Sequence, residues 1–255
     1  MKTIFDASGE VLVVTGGANG IGAALARAFA GAGGHSVVFD VAPAEDLATV
    51  PRVTSHRVDV SDRDAVRAAT DAVLARHGRI DALVCGAAVQ PRVDVVDTDP
   101  AQWQRTLAIN LDGVVWCCQA VLPHMIERRR GSIVVFASGL AHLGRAQASA
   151  YAASKGALIP FAKSLAAEVA EHRVRVNTVF PGVIDTPQFR AANPSGPERA
   201  HWERTTGVGT PDDVTGPLLF LLSDAATMTG STLTRDRVFA SEDEADANPG
   251  EERDR

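Results

Sequence analysis

Apolar and polar residues alternate along this chain in blocks that predict strand and helix in turn. Val11-Leu12-Val13-Val14 is a continuous apolar run of strand length. A glycine-rich turn follows, then a stretch with Ile21, Leu25 and Phe29 on one helical face, closed by Gly31, Gly33 and Gly34. Further strands are expected at Ser36–Phe39, Thr54–Val58, Ile80–Cys85, Ile133–Ala137 and Val174–Val179, and a last short one at 232–235. Helical patterns fall between them. One carries Val66, Ala69, Val73 and Leu74, is capped by Ser61 and stops at Gly78. Another runs from Pro100 through Trp103, Leu107 and Asn110 and on along Gly113–Ile126. A third runs from Tyr151 to about His172, and a last helix begins at Asp212. Strands that alternate with helices predict an α/β fold, a doubly wound parallel sheet with helices on both faces. In such sheets ligands lie across the carboxyl ends of the strands, where Asp59, Gly86 and Ser138 are expected.

Several polar residues interrupt these patterns. Thr15-Gly16-Gly17-Ala18-Asn19-Gly20-Ile21-Gly22 joins the first strand to the first helix. Small residues there let the backbone approach a ligand, and the helix start offers free N–H groups and positive dipole, a cradle for phosphate. Asp40 ends the second strand, about 20 residues beyond the turn, where a carboxylate can accept from ribose hydroxyls. It would repel a 2′-phosphate, and Gly17 supplies no cation to hold one, so the expected cofactor is NAD. Tyr151 and Lys155 stand four apart, a spacing that puts both on one helix face. A phenol beside an ammonium is an acid/base pair, because the positive charge favours phenolate. Ser138 follows the apolar run at 133–137, so its hydroxyl emerges at a strand tip. Asn110 is an amide inside an apolar helical stretch and needs a partner if buried.

Composition narrows the picture. At 255 residues, 45% hydrophobic and 22% charged, the chain suits one globular domain with a full-sized core. The net charge of −6 resides mostly in residues 241–255, where seven acids face Arg253 and Arg255. The body is nearly neutral, which argues against nucleic acid or an anionic membrane as partner. The acidic tail is expected to be disordered. Cys85, Cys117 and Cys118 do not form a disulfide framework, and the N-terminus lacks a signal or membrane-spanning run, so the expected location is cytoplasmic. The seven histidines are scattered without metal-ligand spacing, and no metal is expected. Pro160 falls inside the Tyr151 helix and removes a backbone hydrogen bond there. Pro187, Pro194 and Pro197, with Phe189 and Trp202, mark 186–206 as a lid over a pocket. Gln90, Leu140, His142, Arg145, Gln147 and Val183 join Phe189 and Trp202 as candidate pocket or lid residues. Arg145 or His142 could meet a carboxylate or phosphate, a solvated loop cation being the favoured reading, and the arginines at 128–130 are expected to be a solvated helix terminus.

Taken together, Thr15-Gly16-x-x-x-Gly20-x-Gly22, Asp40, Asn110, Ser138, Tyr151-x-x-x-Lys155 and Pro181-Gly182 with Thr186 resemble the short-chain dehydrogenase/reductase family over almost the whole chain, to about residue 235. The resemblance implies a single Rossmann-like domain over residues 1–240. It also implies an NAD-dependent oxidoreductase that interconverts a secondary alcohol and a ketone, working as a homotetramer or homodimer. By the same resemblance Tyr151 is the general acid/base, and Lys155 lowers the phenol pKa and binds the nicotinamide ribose. Ser138 bonds the substrate oxygen, and Asn110 holds a water on a proton path from Lys155 to solvent. Gly16, Asn19, Gly20, Ile21, Gly22, Asp59, Val60, Ala87, Pro181, Gly182 and Thr186 complete the cofactor site. Two departures stand out. Cys85-Gly86-Ala87-Ala88 replaces Asn-Asn-Ala-Gly, losing an asparagine that ties neighbouring strands, and Thr234-Arg235-Asp236-Arg237-Val238 replaces a terminal Asp-Gly-Gly. Alternative readings of the same residues are a dinucleotide-binding regulator or scaffold with vestigial catalysis, and an epimerase or dehydratase using internal redox.

Overall fold

In the computed structural model, which describes residues 4–194 and 196–235, the apolar runs become strands. They are β1 (Val11–Thr15), β2 (His35–Asp40), β3 (Val53–Arg57), β4 (Ala82–Cys85), β5 (Gly131–Phe136), β6 (Val174–Phe180) and β7 (Thr232–Thr234). All pair in parallel, in the order β3-β2-β1-β4-β5-β6-β7. The helices are α1 (Gly20–Gly31), α2 (Arg63–His77), α3 (Pro100–Leu107), α4 (Gly113–Glu127), α5 (Leu140–Leu143), α6 (Ser149–Val169), α7 (Pro187–Ala192), α8 (Gly196–Thr205) and α9 (Thr215–Leu222).

Because helices cover both faces, the central strands are apolar throughout rather than alternating. Val11, Val13, Leu83, Cys85, Ile133 and Val135 point into one core, against α2, α4 and α6. Leu12, Val14, Ala82, Val84, Val134 and Phe136 point into the other, with Leu25 and Phe29 of α1 and Leu218 and Leu221 of α9. Cys85, Cys117 and Cys118 are buried free thiols. The strand order reverses between β1 and β4, so the crevice where ligands bind such sheets lies beyond Gly16 and Gly86.

Several local features differ from the sequence expectation. The cap of α2 is Asp62, whose Oδ1 accepts from the Asp64 and Ala65 nitrogens, while the Ser61 hydroxyl donates to Asp59 instead. The helical run from Pro100 to Glu127 is interrupted by a π turn at Ala108–Asp112, closed by a bond from the Gly113 N–H to the Ala108 carbonyl. Hydrophobic periodicity does not register one extra residue per turn. By length and composition this run passes for a membrane span, but Val114, Cys117, Cys118, Val121 and Met125 of α4 are core residues. Pro160 is accommodated on the exposed side of α6, where a carbonyl without its helical partner can be hydrated. The expected lid is helical, formed by α7 and α8. The acidic tail lies outside the described residues, as do Asp236, Arg237 and Val238.

Candidate active site

A cleft of about 440 Å³ opens along the carboxyl edge of the sheet. Its first wall is the β1–α1 turn. Gly16 has φ +66°, and a side-chain carbon on it would lie 2.6 Å from the Ala87 nitrogen. A carbon on Gly22 would lie 2.5 Å from the Gly16 carbonyl oxygen. Both obstructions are backbone, which cannot rotate away, so glycine is required at both places. The helix behind them begins without a side-chain cap: Asn19 makes no cap hydrogen bond and the first turn holds no acid. The start of α2, by contrast, is closed by Asp62. The open N–H groups and positive dipole of α1 thus face the cleft, the arrangement a diphosphate needs. Gly20 brings Thr186 against the same turn; a carbon on Gly20 would meet the Thr186 methyl at 2.9 Å.

Asp40 lines the cleft with its carboxylate held by the backbone, Oδ2 accepting from the Ala18 nitrogen at 3.0 Å and Oδ1 from Ala42 at 2.9 Å. Gly17 and Val41 beside it bring no cation. Asp59 accepts from the Ser61 hydroxyl at 2.6 Å and the Ser61 nitrogen at 3.0 Å, and the hydroxyl bond holds its carboxyl below the usual range. After β4, where Cys85-Gly86 stands in place of the two asparagines, a tie to the neighbouring strand comes from Thr15. The Thr15 hydroxyl accepts from the Gly86 and Ala87 nitrogens at 3.1 and 3.2 Å. A side chain at position 86 would start 2.8 Å from the Thr15 carbonyl oxygen, so glycine and Thr15 form a matched pair.

The chemistry-bearing residues meet at the ends of β5 and α6. Tyr151, Ser138 and Lys155 all line the cleft. Burial pushes the Tyr151 phenol above its ordinary value, and a hydrogen bond with the Ser138 hydroxyl opposes that rise. Lys155 is 2% exposed, and burial lowers its ammonium to about 8. Its Nζ donates to the Phe136 carbonyl at 2.7 Å and stands 5.9 Å from the Tyr151 ring centroid. The expected depression of the phenol by Lys155 is therefore not what this geometry gives: desolvation dominates, and the ammonium is directed at the carbonyl.

Asn110 does not line the cleft. Its Oδ1 accepts from the Val89 nitrogen at 2.8 Å, and its Nδ2 donates to the Val89 carbonyl at 2.9 Å and to Ser154 Oγ at 3.1 Å. Ser154 in turn donates to the Tyr151 carbonyl at 2.7 Å. The Asn110 side chain clamps the chain after β4 to the helix that carries Tyr151, from within a π turn of the kind that recurs at functional sites. Asp59, Val60 and Ala87 also lie outside the cleft wall; Ala87 backs the Gly16 turn, and Val60 packs on Gly113. Every other predicted cofactor or catalytic residue lines it, including Pro181, Gly182 and Thr186.

Of the candidate pocket residues, Gln90, Leu140, Arg145, Val183, Phe189 and Trp202 line the cleft. His142 instead packs its ring on Phe180 at 5.4 Å, and Gln147 bonds to Arg92 and Asp94. Arg145 is not a solvated cation: it lines the cleft and pairs with Glu198 of α8 at 2.8 Å. Sequence reasoning missed Ser154, Phe136, Arg92, Asn193 and Glu198. Ser154 carried a signal, a hydroxyl one helical turn after Tyr151; Phe136 lies two residues before Ser138 and acts through its carbonyl, and the others are brought in by segments far apart in sequence. Arg235 was noted only as a departure at the end of the chain, yet it lines the cleft from the end of β7.

The family model described as short chain dehydrogenase matches residues 10–196. The cis-4-hydroxycyclohexanecarboxylate dehydrogenase of Sinomonas cyclohexanicum is 38% identical over 85% of this chain and 90% of its own. The D-threitol dehydrogenase of Mycolicibacterium smegmatis is 38% identical over 88% of this chain and 90% of its own. Among solved structures, a putative NAD(P)-dependent gluconate 5-dehydrogenase from Beutenbergia cavernae with bound NADP superposes with a TM-score of 0.85. It shares 29% identity, with coverage of 92% of this chain and 98% of that one.

Proposed function

Because this chain belongs to the short-chain dehydrogenase/reductase family, we propose that it is an NAD-dependent oxidoreductase interconverting a secondary alcohol and its ketone. The observation that carries the reading is the meeting of Ser138, Tyr151 and Lys155 in the cleft that the Gly16–Gly22 turn and Asp40 also line.

The cradle fits a dinucleotide, since its close glycines and open helix start suit a diphosphate and Asp40 suits ribose hydroxyls. When bound, the nicotinamide supplies the hydride acceptor for oxidation and the donor for reduction. The protein supplies the proton. In reduction Tyr151 Oη gives its proton to the carbonyl oxygen; in oxidation it takes the hydroxyl proton. Ser138 donates to the same oxygen and fixes its place relative to the phenol. Lys155, buried and cationic below about pH 8 with its Nζ on the Phe136 carbonyl, is the residue that would hold the nicotinamide ribose. Since burial keeps the phenol protonated at neutral pH, reduction runs there with the donor already in the required state.

Asp40 with Gly17 and Val41 supports NAD, because a 2′-phosphate there would meet a carboxylate, and neither Gly17 nor Val41 supplies a cation to hold it. The Beutenbergia protein holds NADP, so cofactor choice in this chain rests on its own residues. Relatives named for a hydroxycyclohexanecarboxylate and for threitol support a small cyclic or polyhydroxylated alcohol as substrate. The test is a dehydrogenase screen with NAD and NADP over cyclic alcohols, hydroxy acids, polyols and sugars. Reduction of NAD with one of these classes, faster than of NADP, is the expected result. Tight NADH binding without turnover of any class would replace this reading with a dinucleotide-binding regulator or scaffold.

A further inference from the structure

Two guanidinium groups share one carboxylate at the lid side of the cleft. The Arg145 side chain, 17% exposed, donates from Nη2 to Glu198 Oε1 at 2.8 Å and from Nη1 to Asn193 Oδ1 at 2.7 Å. Arg92 reaches the same Glu198 oxygen at 3.4 Å and donates to the Ala192 carbonyl at 2.9 Å. The Arg92 Nε is buried with no hydrogen-bond partner among the described residues. The next acid, Asp94, is exposed and joined to Arg92 only through Gln147, by two bonds of 3.3 Å. Glu198 therefore balances one of two partly buried positive charges. Burial and the charge of Arg92 both weigh against the Arg145 cation, with Glu198 opposing them.

Of Arg92, Arg145 and Glu198, Arg145 is the one that lines the cleft. It lines the cleft together with Ser138 and Tyr151, and its guanidinium stands 5.4 Å from the centroid of Trp202, whose Nε1 donates to the same Asn193 oxygen. A guanidinium has five N–H donors in a fixed plane, and the bonds to Glu198 and Asn193 leave others for a second planar acceptor. Ring and amide hold that plane in place before any ligand arrives, which lowers the entropy cost of binding.

We propose that Arg145 is a specificity-determining residue that recognises a carboxylate on the substrate, making this protein a dehydrogenase of hydroxy acids in preference to neutral alcohols. A substrate carboxylate brings the group of Arg92, Arg145 and Glu198 to charge balance and completes the donor set of Arg145. The inference rests on the oxidoreductase reading and deepens it, since it assigns the substrate class of the same site. A role confined to holding the lid predicts something else: loss of Arg145 would then slow acids and neutral alcohols alike.

The experiment compares a hydroxycyclohexanecarboxylate with its methyl ester, which keeps the ring and removes the charge. For wild type, kcat/KM is expected to favour the acid by about tenfold or more, roughly 1.4 kcal/mol or more. Arg145→Met should erase that ratio through KM for the acid while leaving the ester within about threefold, and Arg145→Lys should restore part of it. A wild-type ratio near one, or equal loss on both compounds in Arg145→Met, overturns the proposal. Calorimetric titration with cyclohexanecarboxylate, which has no hydroxyl to oxidise, separates the two readings. Binding that weakens about tenfold in Arg145→Met supports carboxylate recognition even if no alcohol is turned over. Turnover without regard to charge, with no such binding, sinks the recognition and leaves the redox reading standing.

Discussion

The two halves of the cleft are built by different means. The cradle half is made of backbone: close approaches at Gly16 and Gly22, an uncapped helix start, and a carboxylate at Asp40 pinned by two amide nitrogens. The lid half is made of long side chains that meet across the sequence. Arg92 reaches Ala192, and Arg145 reaches both Asn193 and Glu198. A backbone site admits one shape and tolerates almost no substitution. A side-chain site keeps its frame while its contacts change, which suits the half that must recognise a particular substrate.

That contrast can be broken by mutation. The largest effect is expected for Gly16→Val, which puts a branched side chain at φ +66° against the Ala87 backbone. NADH affinity should fall by more than about a hundredfold in calorimetry, with roughly 2–4 kcal/mol of stability lost to backbone strain and overpacking. Wild-type-like NADH binding would show that the cradle is not shaped by close approach. Next comes the buried ammonium. Lys155 sits at about 8 against an ordinary 10.5, so between those values the unfolded chain binds more protons at this side chain than the folded one. The Lys155 contribution to stability should therefore rise with pH across that window by an amount on the order of a few kcal/mol, against the opposite contributions of the buried Cys85 and Cys117 thiols and the Tyr151 phenol. Denaturant midpoints followed against pH should lose this contribution in Lys155→Met, and parallel curves for the two proteins would contradict the burial argument. Asp40→Ala should narrow the preference for NADH over NADPH by about tenfold in kcat/KM, near 1.4 kcal/mol. The smallest effect on the cofactor should come from the lid: Trp202→Ala is expected to leave NADH affinity within about twofold, a difference inside ordinary mutational scatter.

The same contrast governs how much could be read from the sequence. Glycines that must adopt positive φ or admit a neighbouring backbone are visible as letters at fixed offsets, and apolar runs between helical patterns dictate a parallel sheet. The cradle, Asp40, Ser138, Tyr151 and Lys155 all belong to that legible set. Asn110 was legible as a buried amide in need of a partner, but its partners were not. Val89 and Ser154 meet it in a π turn, between the chain after β4 and α6. Arg145 shows the opposite limit: a loop arginine looks solvated until Glu198, 53 residues later, folds over it. Thr15 shows a third case: it was legible as a motif residue, but not its hydroxyl's bond to the Gly86 nitrogen on the neighbouring strand.

Tyr151 is the only tyrosine in the chain, which gives its proton an unobstructed signal. The most direct measurement pairs NADH binding with turnover in Tyr151→Phe, on a substrate that the wild type oxidises. NADH affinity should be unchanged within about twofold, since the cradle lies elsewhere, while kcat falls by about a hundredfold or more, the range for removing a general acid/base. Spectrophotometric titration of the wild type should place the phenol midpoint above that of an ordinary tyrosine, because burial disfavours the phenolate, and lose its signal in the variant. Full turnover by Tyr151→Phe would contradict the account, because some other group would then be exchanging the substrate proton.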